Sequence, residues 1–297
     1  MVHKKGIAGH SGEIIIYGIV ILMGLLCLFP LLNILAISLS GNAAVAGNQV
    51  GLLPVDFTVA AYNKLIADSQ FWRSTGTSVL RVVLQLGLNM VLVVLMAYPL
   101  SKSPKEFKAR GIYMKLLIFA MLFNGGLIPT YLVIKKLGLI NTIWALILPG
   151  AVPIFNVILV MNFFAAVPKS LEEAAVLDGA TQTEIMTKVY LPCSKPVLAT
   201  VALFSIVGSW NDFFGGLIYI TKVSRYPLMT YIQSLNVNIA ELVSSGADAA
   251  TLASLAEISN KNLNAAKIVV STIPLLLIYP FLQKYFVTGI VMGAVKE

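Results

Sequence analysis

The stretch that decides the fold is residues 170–192, SLEEAAVLDGATQTEIMTKVYLP, a polar segment between two long apolar runs at about 142–165 and 197–220. The chain around it is 58% hydrophobic and only 11% charged over 297 residues. A soluble domain carries about a quarter charged residues, because its surface must face water. The composition therefore predicts a membrane protein with a polar loop between two membrane spans.

Six apolar runs are long enough to cross a bilayer, since a hydrocarbon core of about 30 Å requires roughly 20 helical residues. Their apolarity is continuous and lacks the alternation of barrel strands, which indicates helices. The predicted fold class is an all-α membrane protein with six transmembrane helices, at about residues 14–38, 75–99, 113–134, 142–165, 197–220 and 265–286.

The first run follows Lys4 and Lys5, and the sequence Ala44-Val45-Ala46 is similar to a signal-peptidase site. Its apolar core of about 25 residues exceeds the 7–15 of a cleaved signal, and five more spans follow, so a retained span is favoured. The two cysteines, Cys27 and Cys193, suggest no disulfide framework.

Charges at the membrane edges predict the orientation, because positive loops remain in the cytoplasm. The loop 100–112 carries four basic residues against one acid, although basic residues on the other side make the bias moderate. We therefore expect cytoplasmic tails at 1–13 and 287–297 and a permease domain over 14–286, with its polar loop at about 167–195 in the cytoplasm. The outer segments are expected at 41–73, at the Lys135-Lys136 turn and at 222–264. Topology and lipid headgroups account for the net charge of +8 without a nucleic-acid partner.

The polar loop itself reads as two short helices joined by a tight turn. Ser170 and Glu173 have the spacing of a capping box, and Thr181 and Glu184 repeat it. Asp178-Gly179 between them is a turn pair, because glycine adopts positive φ at little cost. Leu191-Pro192 is expected to stop the second helix.

This spacing resembles the EAA loop of type I ABC importer permeases, although an ordinary capped loop is the simpler interpretation. In that family the loop docks into a groove of a separate ATPase subunit. The resemblance assigns the coupling role to eight residues, with Val189 where the family usually has isoleucine: Glu173, Ala174, Ala175, Asp178, Gly179, Val189, Leu191 and Pro192.

Segments across nearly the whole chain resemble the carbohydrate-uptake branch of this family, in particular its MalG-like subunit. This resemblance implies a permease subunit for oligosaccharide import in a bacterial cytoplasmic membrane, with pectin- and alginate-derived fragments as the nearest substrates. The segments that carry it are PVDFTVAAY at 54–62, GLINT at 138–142, ALILP at 145–149, WNDF at 210–213 and KYFVTGIVMGAVK at 284–296.

The implied partners are a homologous second permease, two ATPase subunits, an extracytoplasmic solute-binding protein and the oligosaccharide. The chain lacks a Gly-x-x-x-x-Gly-Lys-Ser/Thr run, so ATP and magnesium are expected in the partner ATPase, and no cofactor in this chain. The only histidines, His3 and His10, lie in the N-terminal tail, and no hydrolase or metal motif is present, so the chain is expected to be non-enzymatic. The segment 222–264 would meet the binding protein; the alternative is a solvated loop. The tail after Phe286 would reach the ATPase interface; the alternative is a frayed end.

Two features near the spans could belong to a transport path. Gly125, Gly126 and Pro129 interrupt the third span, which should kink or end early there. Trp210, Asn211 and Phe213 lie near the outer end of the fifth span and could face a sugar, although packing or an interfacial position is the alternative.

Arg81 and Asp212 lie at matching depths, roughly 10–12 Å below the outer surface at 1.5 Å per residue. A lone charge at such a depth costs on the order of 2–3 kcal/mol, and intramembrane charges usually pair inside the bundle. We therefore expect an ion pair between them. The alternatives are that Arg81 extends to the outer surface, or that Asp212 caps backbone groups.

Three other functions share parts of this pattern. An ion-coupled secondary transporter should show inverted repeats and midplane carboxylates; no clear repeat is evident in the sequence, and Asp212 is the only acid well inside a span. A type I ABC permease for a different solute would share the polar loop. A membrane scaffold would need none of these motifs.

Overall fold

The structure, a computed structural model, describes residues 7–234 and 261–294 of the chain. All regular secondary structure in those ranges is helical, as expected. In chain order the helices are α1 (Ile7–Ser38), α2 (Asn42–Ala46), α3 (Ala60–Ala67), α4 (Ser69–Ser101), α5 (Arg110–Leu122), α6 (Leu127–Lys136), α7 (Trp144–Ile147), α8 (Ile154–Ala165), α9 (Lys169–Leu177), α10 (Gln182–Ile185), α11 (Leu191–Cys193), α12 (Lys195–Asn211), α13 (Phe214–Tyr219), α14 (Leu228–Ser234) and α15 (Lys261–Ala294).

Three helices in the described ranges are each long and apolar enough to cross a membrane unaided, namely α1, α4 and α15. α1 begins at Ile7 and α15 ends at Ala294. Residues 7–13 and 287–294, expected to be tails, therefore continue the helices, since neither stretch contains a proline to stop them. The ends of the predicted tails, 1–6 and 295–297, and most of the outer segment 222–264 lie outside the described residues.

Three further spans arise only if each is counted as a pair of helices with a bend. α5 and α6 meet at 111°, and α12 meets the helical stretch Gln182–Cys193 at 83°. The stretch Trp144–Gly150, which is α7 and one turn of 3₁₀-helix, meets α8 at 48°. Counted in this way, the chain has up to six spans by length and composition.

The break in the third span is confirmed and lies at the predicted glycines. Gly126 has φ +86°, a conformation that favours glycine, and its N–H donates to the Asn124 side chain at 2.9 Å. The predicted fourth and fifth spans, at 142–165 and 197–220, are also interrupted. Pro149 and Pro153 flank the bend in the fourth span, and the fifth leaves helical geometry at Asp212, which has φ −72° and ψ 106°.

The chain forms two compact units, of which the first comprises residues 1–69 and 234–273. Within it, the buried Lys267 pairs with Asp68 at 2.6 Å. The Asn262 side-chain amide, also buried, donates to the Ser40 carbonyl at 2.9 Å. An intramembrane lysine is costly unless it is paired, so this ion pair fixes the start of α15 against the turn after α3.

The second unit comprises residues 70–233 and 274–297 and holds the larger core. Its centre is an apolar cluster in which α4, α8 and α12 meet, with Val93, Val157 and Val201 fully buried. The aromatic rings of Tyr98 and Tyr190 pack edge to face at 5.1 Å in the same cluster. The polar loop therefore attaches directly to the packed spans.

Candidate coupling element and intramembrane polar site

The polar loop folds as one compact helical element, Lys169–Cys193, which we call the coupling element. Its first helix, α9, begins directly after Pro168 and has no side-chain cap. The predicted capping box of Ser170 and Glu173 is therefore wrong. Since proline lacks an N–H and favours the position just before or within the first turn, it starts the helix early and leaves Ser170 inside that turn.

The turn between the two halves has the predicted geometry. Gly179 has φ +78°, and the Ala180 N–H donates to the Ala175 carbonyl at 2.9 Å to close α9. Thr181 then forms the predicted capping box, because its hydroxyl accepts from the Glu184 N–H and the Glu184 carboxylate accepts from the Thr181 N–H. Both predictions are confirmed.

The second half of the element continues further than expected. A π-helical turn, Met186–Tyr190, runs into α11, so the helix ends at Cys193 and Leu191-Pro192 does not stop it. Pro192 lies two residues after the π-helical turn, where the regular hydrogen-bond ladder of the α-helix is already interrupted.

The eight residues assigned to coupling fall on both faces of the element. Ala175, Val189 and Leu191 are partly buried and pack against the core of the second unit. The exposed ones are Glu173, Ala174, Asp178, Gly179 and Pro192. Three apolar side chains next to the exposed positions also face outward, with exposed fractions of 44% for Leu171, 52% for Val176 and 87% for Leu177. The end of the element at the Gly179 turn, which we call its tip, thus carries exposed apolar side chains at Val176 and Leu177.

A cluster that the sequence reading missed joins the element to α4. The Lys102 Nζ donates to Glu172 Oε1 at 2.5 Å and to the Tyr190 hydroxyl at 3.1 Å. Tyr190 in turn donates to Glu172 Oε2 at 2.5 Å, and the Tyr98 hydroxyl donates to Gln182 Oε1 at 2.8 Å. Lys102 also lies 4.4 Å from the ring centroids of both tyrosines.

Hydrogen bonds lower the pKa of two acids of the element, Glu172 and Glu184. Burial acts to raise the pKa of Glu172, but the hydrogen bonds from Lys102 and Tyr190 outweigh burial and hold this pKa below its usual value. Hydrogen bonds from Lys188 and from the Thr181 backbone lower the pKa of Glu184 to about 2. At neutral pH both carboxylates are therefore charged and hydrogen-bonded.

The second site is the charged pair within the spans. Arg81 is 4% exposed, and its Nη2 lies 2.6 Å from Asp212 Oδ2. The guanidinium also donates to the Asp212 carbonyl at 3.2 Å and to the Leu146 carbonyl at 3.4 Å. Asp212 Oδ1 accepts from the Gly215 N–H at 3.1 Å, so this acid both pairs with Arg81 and caps α13.

The charged pair borders a cavity of about 400 Å³ within the second unit. Of the three predicted path residues, Trp210 is buried, Asn211 is exposed and Phe213 is 40% exposed. None of the three lines this cavity, whereas their neighbours Gly208, Ser209 and Asp212 do.

Comparison with known proteins places the chain among transport proteins. A family model described as "Binding-protein-dependent transport system inner membrane component" matches residues 65–292. Protein LplC of Bacillus subtilis is 40% identical over 274 residues, which cover 92% of this chain and 91% of that protein. The polygalacturonan/rhamnogalacturonan transport system permease protein YtcP of Bacillus subtilis is 37% identical over 286 residues, or 96% and 98% of the two chains.

A solved structure gives the same answer for the fold. One chain of a bacterial ABC transporter involved in the import of the acidic polysaccharide alginate superposes with a TM-score of 0.83 and 31% identity. The match covers 95% of this chain and 99% of that one.

Proposed function

The chain belongs to the family of binding-protein-dependent transport system inner membrane components, and from this premise we propose that it imports oligosaccharides as one of two permease subunits coupled to a separate ATPase. The family resemblance and the permease fold expected from the sequence are both confirmed. The single observation that carries the coupling mechanism is the coupling element, which is rigid at its base and apolar at its tip.

The tip supplies a docking surface. Leu177 and Val176 lie outside the packed core with 87% and 52% of their area exposed, beside the small Ala174 and the turn at Gly179. Exposed apolar side chains on a capped, well-ordered element are typical of a protein–protein contact. Small residues beside them let a partner backbone approach closely, and we assign this surface to the ATPase.

The end of the element next to the spans, at Glu172 and Tyr190, which we call its base, is rigidly connected to them. Glu172 on α9 and Tyr190 on the π-helical turn both bind Lys102, which follows directly after α4. A buried charge with three hydrogen-bonding or ring partners resists displacement, because any movement that separates them leaves charge unpaired. Movement of the coupling element would therefore be transmitted to α4.

α4 in turn reaches the intramembrane site. It runs from Ser69 to Ser101 and carries Arg81, which is paired with Asp212 at the start of α13. A displacement of α4 by the ATPase would thus move one wall of the cavity relative to the other. This is the physical route by which we propose that ATP binding opens and closes the translocation path.

The proposed partners follow from the separation of transport, in this chain, from ATP hydrolysis, in the ATPase. ATP and magnesium would bind the two ATPase subunits, since the sequence contains no phosphate-binding loop, and this chain would be non-catalytic. A homologous permease would complete the path, and an extracytoplasmic solute-binding protein would deliver the sugar. We place both termini and the coupling element in the cytoplasm, with the permease domain over 14–286.

The substrate class is inferred from the relatives and from the cavity. YtcP carries polygalacturonan/rhamnogalacturonan transport in its name, and the superposed chain comes from a transporter involved in the import of the acidic polysaccharide alginate. The cavity beside Arg81 is lined by amide and hydroxyl side chains, which suit sugars. We therefore propose fragments of such polysaccharides as the cargo.

The experiment is uptake into proteoliposomes that contain this chain, the second permease and the ATPase, with the loaded binding protein outside and ATP inside. A panel of rhamnogalacturonan, polygalacturonate and alginate oligosaccharides should give uptake that needs ATP and the binding protein. Uptake driven by an ion gradient without ATP would instead indicate a secondary transporter. ATP-dependent uptake of other solutes alone would retain the ABC permease and reject the sugar.

A further inference from the structure

The cavity beside Arg81 lies inside this single chain, within its second unit. Its volume of about 400 Å³ falls in the range of roughly 300–1,000 Å³ that is usual for small-molecule sites. Apolar and aromatic groups form part of the wall, including Phe204 and Tyr219. The uncharged polar side chains that line it are Gln85, Asn89, Asn156, Ser205 and Ser209.

These polar side chains form two stripes along helices. On α4, Arg81, Gln85 and Asn89 recur every four residues and therefore share one face. On α12, Ser205 and Ser209 do the same, and the Asn89 amide lies 3.1 Å from the Ser205 hydroxyl. Buried amides in a membrane span are expensive compared with leucine, so their convergence on one cavity indicates a role beyond packing.

Two polar groups on residues that line the cavity have no protein partner among the described residues. The residue Asn156 is 5% exposed, and its side chain makes no hydrogen bond to the described residues. The Nε–H of Arg81 also has no hydrogen-bond partner there, but this nitrogen is buried and does not face the cavity. A ligand hydroxyl that accepted from the Asn156 amide would satisfy this group and would therefore be favoured.

The charge balance of the cavity decides the class of ligand. Arg81 and Asp212 neutralise each other, and Asp212 is the more exposed of the two, at 34% against 4%. A sugar carboxylate would meet the acid before the arginine and would be repelled. Amide and hydroxyl side chains both donate and accept, as sugar hydroxyls do.

We propose that this cavity is a subsite for one uncharged sugar unit of the transported oligosaccharide, with the Asn156 amide as donor to one of its hydroxyl oxygens. The inference rests on the proposed function and deepens it. Uronate units of the same oligosaccharide would pass outside this subsite.

Two variants test the subsite by different means. Asn156→Leu removes the free amide while keeping the branching of the side chain, and it breaks no hydrogen bond to the described residues. Gly208→Leu fills the cavity, because a Cβ at Gly208 meets no atom within 4 Å. Gly87→Leu is the matched control, since Gly87 has equal space in α4 and does not line the cavity.

The assembled transporter in proteoliposomes would be given two probes, a rhamnogalacturonan tetrasaccharide with neutral rhamnose units and trigalacturonate. For the tetrasaccharide, Asn156→Leu should lower uptake about threefold to tenfold, the worth of one hydrogen bond. Gly208→Leu should lower it about tenfold or more. ATP hydrolysis stimulated by the loaded binding protein should stay within about twofold in all variants, because the coupling element is unchanged.

The proposal is overturned if both cavity variants import the tetrasaccharide at the rate of the Gly87→Leu control. It is also overturned if Asn156→Leu lowers trigalacturonate uptake as much as tetrasaccharide uptake, because the subsite would then not select an uncharged unit. These results leave the proposed function intact as long as the parental transporter imports either probe with ATP. If the parental transporter imports neither probe and no other oligosaccharide, the proposed function fails as well.

Discussion

The pair of Arg81 and Asp212 gives the sharpest test of the intramembrane site. Asp212→Ala removes the carboxylate and leaves the guanidinium, 4% exposed, with only the carbonyl contacts at 3.2 and 3.4 Å. Breaking a fully buried pair from one side costs about 3–5 kcal/mol. Asp212 is 34% exposed, so solvent screens the pair and we expect about 2–3 kcal/mol of lost unfolding free energy.

The opposite change should cost less. Arg81→Ala leaves an acid that is one-third exposed and still caps the Gly215 N–H, so we expect a loss of about 1–2 kcal/mol. The double variant should lose less than the sum of the two, with a coupling energy of about 1–2 kcal/mol. Asp212→Asn separates the two roles of this residue, because an amide oxygen can still cap Gly215 but cannot balance the charge.

The assay is the free energy of unfolding of the purified chain, measured by titration with SDS in mixed micelles for the parent and the variants. The exposed pair of Lys188 and Glu184, at 2.8 Å, is the control, and its coupling energy should stay below about 0.5 kcal/mol. Strict additivity of Arg81→Ala and Asp212→Ala would refute the ion pair as a stabilising contact.

Three other predictions concern the coupling element and the separate ATPase. Gly179→Leu should insert normally yet lose most uptake, because φ +78° strains a leucine and the side chain holds the docking surfaces apart; parental uptake with normal assembly would rule out this role. The purified chain alone should hydrolyse no ATP, and turnover without the ATPase subunit would disprove the division of work. Glu172→Gln should lower the thermal midpoint at pH 7, because the lowered pKa of Glu172 makes its charge stabilising above the ordinary carboxyl value near about 4.3. That stabilisation is lost as the pH falls through the lowered folded-state pKa, so the difference between parent and variant should shrink in acid; an equal difference at every pH would contradict it.

The features that the sequence predicted are those set by local chemistry. Apolar length predicted the spans, and the Asp178-Gly179 pair predicted a turn because φ +78° favours glycine. The Thr181 capping box depends only on residues three apart, and the structure has it. Equal predicted depth in the membrane indicated an ion pair between Arg81 and Asp212.

The features that the sequence reading missed depend on competition or on distance along the chain. Pro168 starts α9 before Ser170 can cap it, so the capping box predicted from Ser170 and Glu173 does not form. Lys102 and Glu172 are separated by 70 residues, and nothing in one sequence fixes which face of each helix meets the other. Lys267 was overlooked near the start of the last span, where a lysine requires a partner such as Asp68.

The polar stripe of α4 is different, because its signal was present in the sequence. Arg81, Gln85 and Asn89 recur at intervals of four within an apolar run, which is the period of a helix face. A search for polar residues at that period inside predicted spans would have found the face that lines the cavity. It would not have found Asn156 on α8, since only packing brings α8 to the same cavity.

The most direct measurement is a crosslink from the tip of the coupling element to the ATPase subunit in the assembled transporter. Leu177→Cys, in a background with Cys27→Ser and Cys193→Ser, would be labelled with a maleimide photocrosslinker; Leu137→Cys, also exposed and predicted on the outer side, is the control. We expect Leu177→Cys to crosslink to the ATPase and Leu137→Cys not to do so. No crosslink from Leu177→Cys in an assembly that hydrolyses ATP, or an equal crosslink from Leu137→Cys, would contradict coupling through this element.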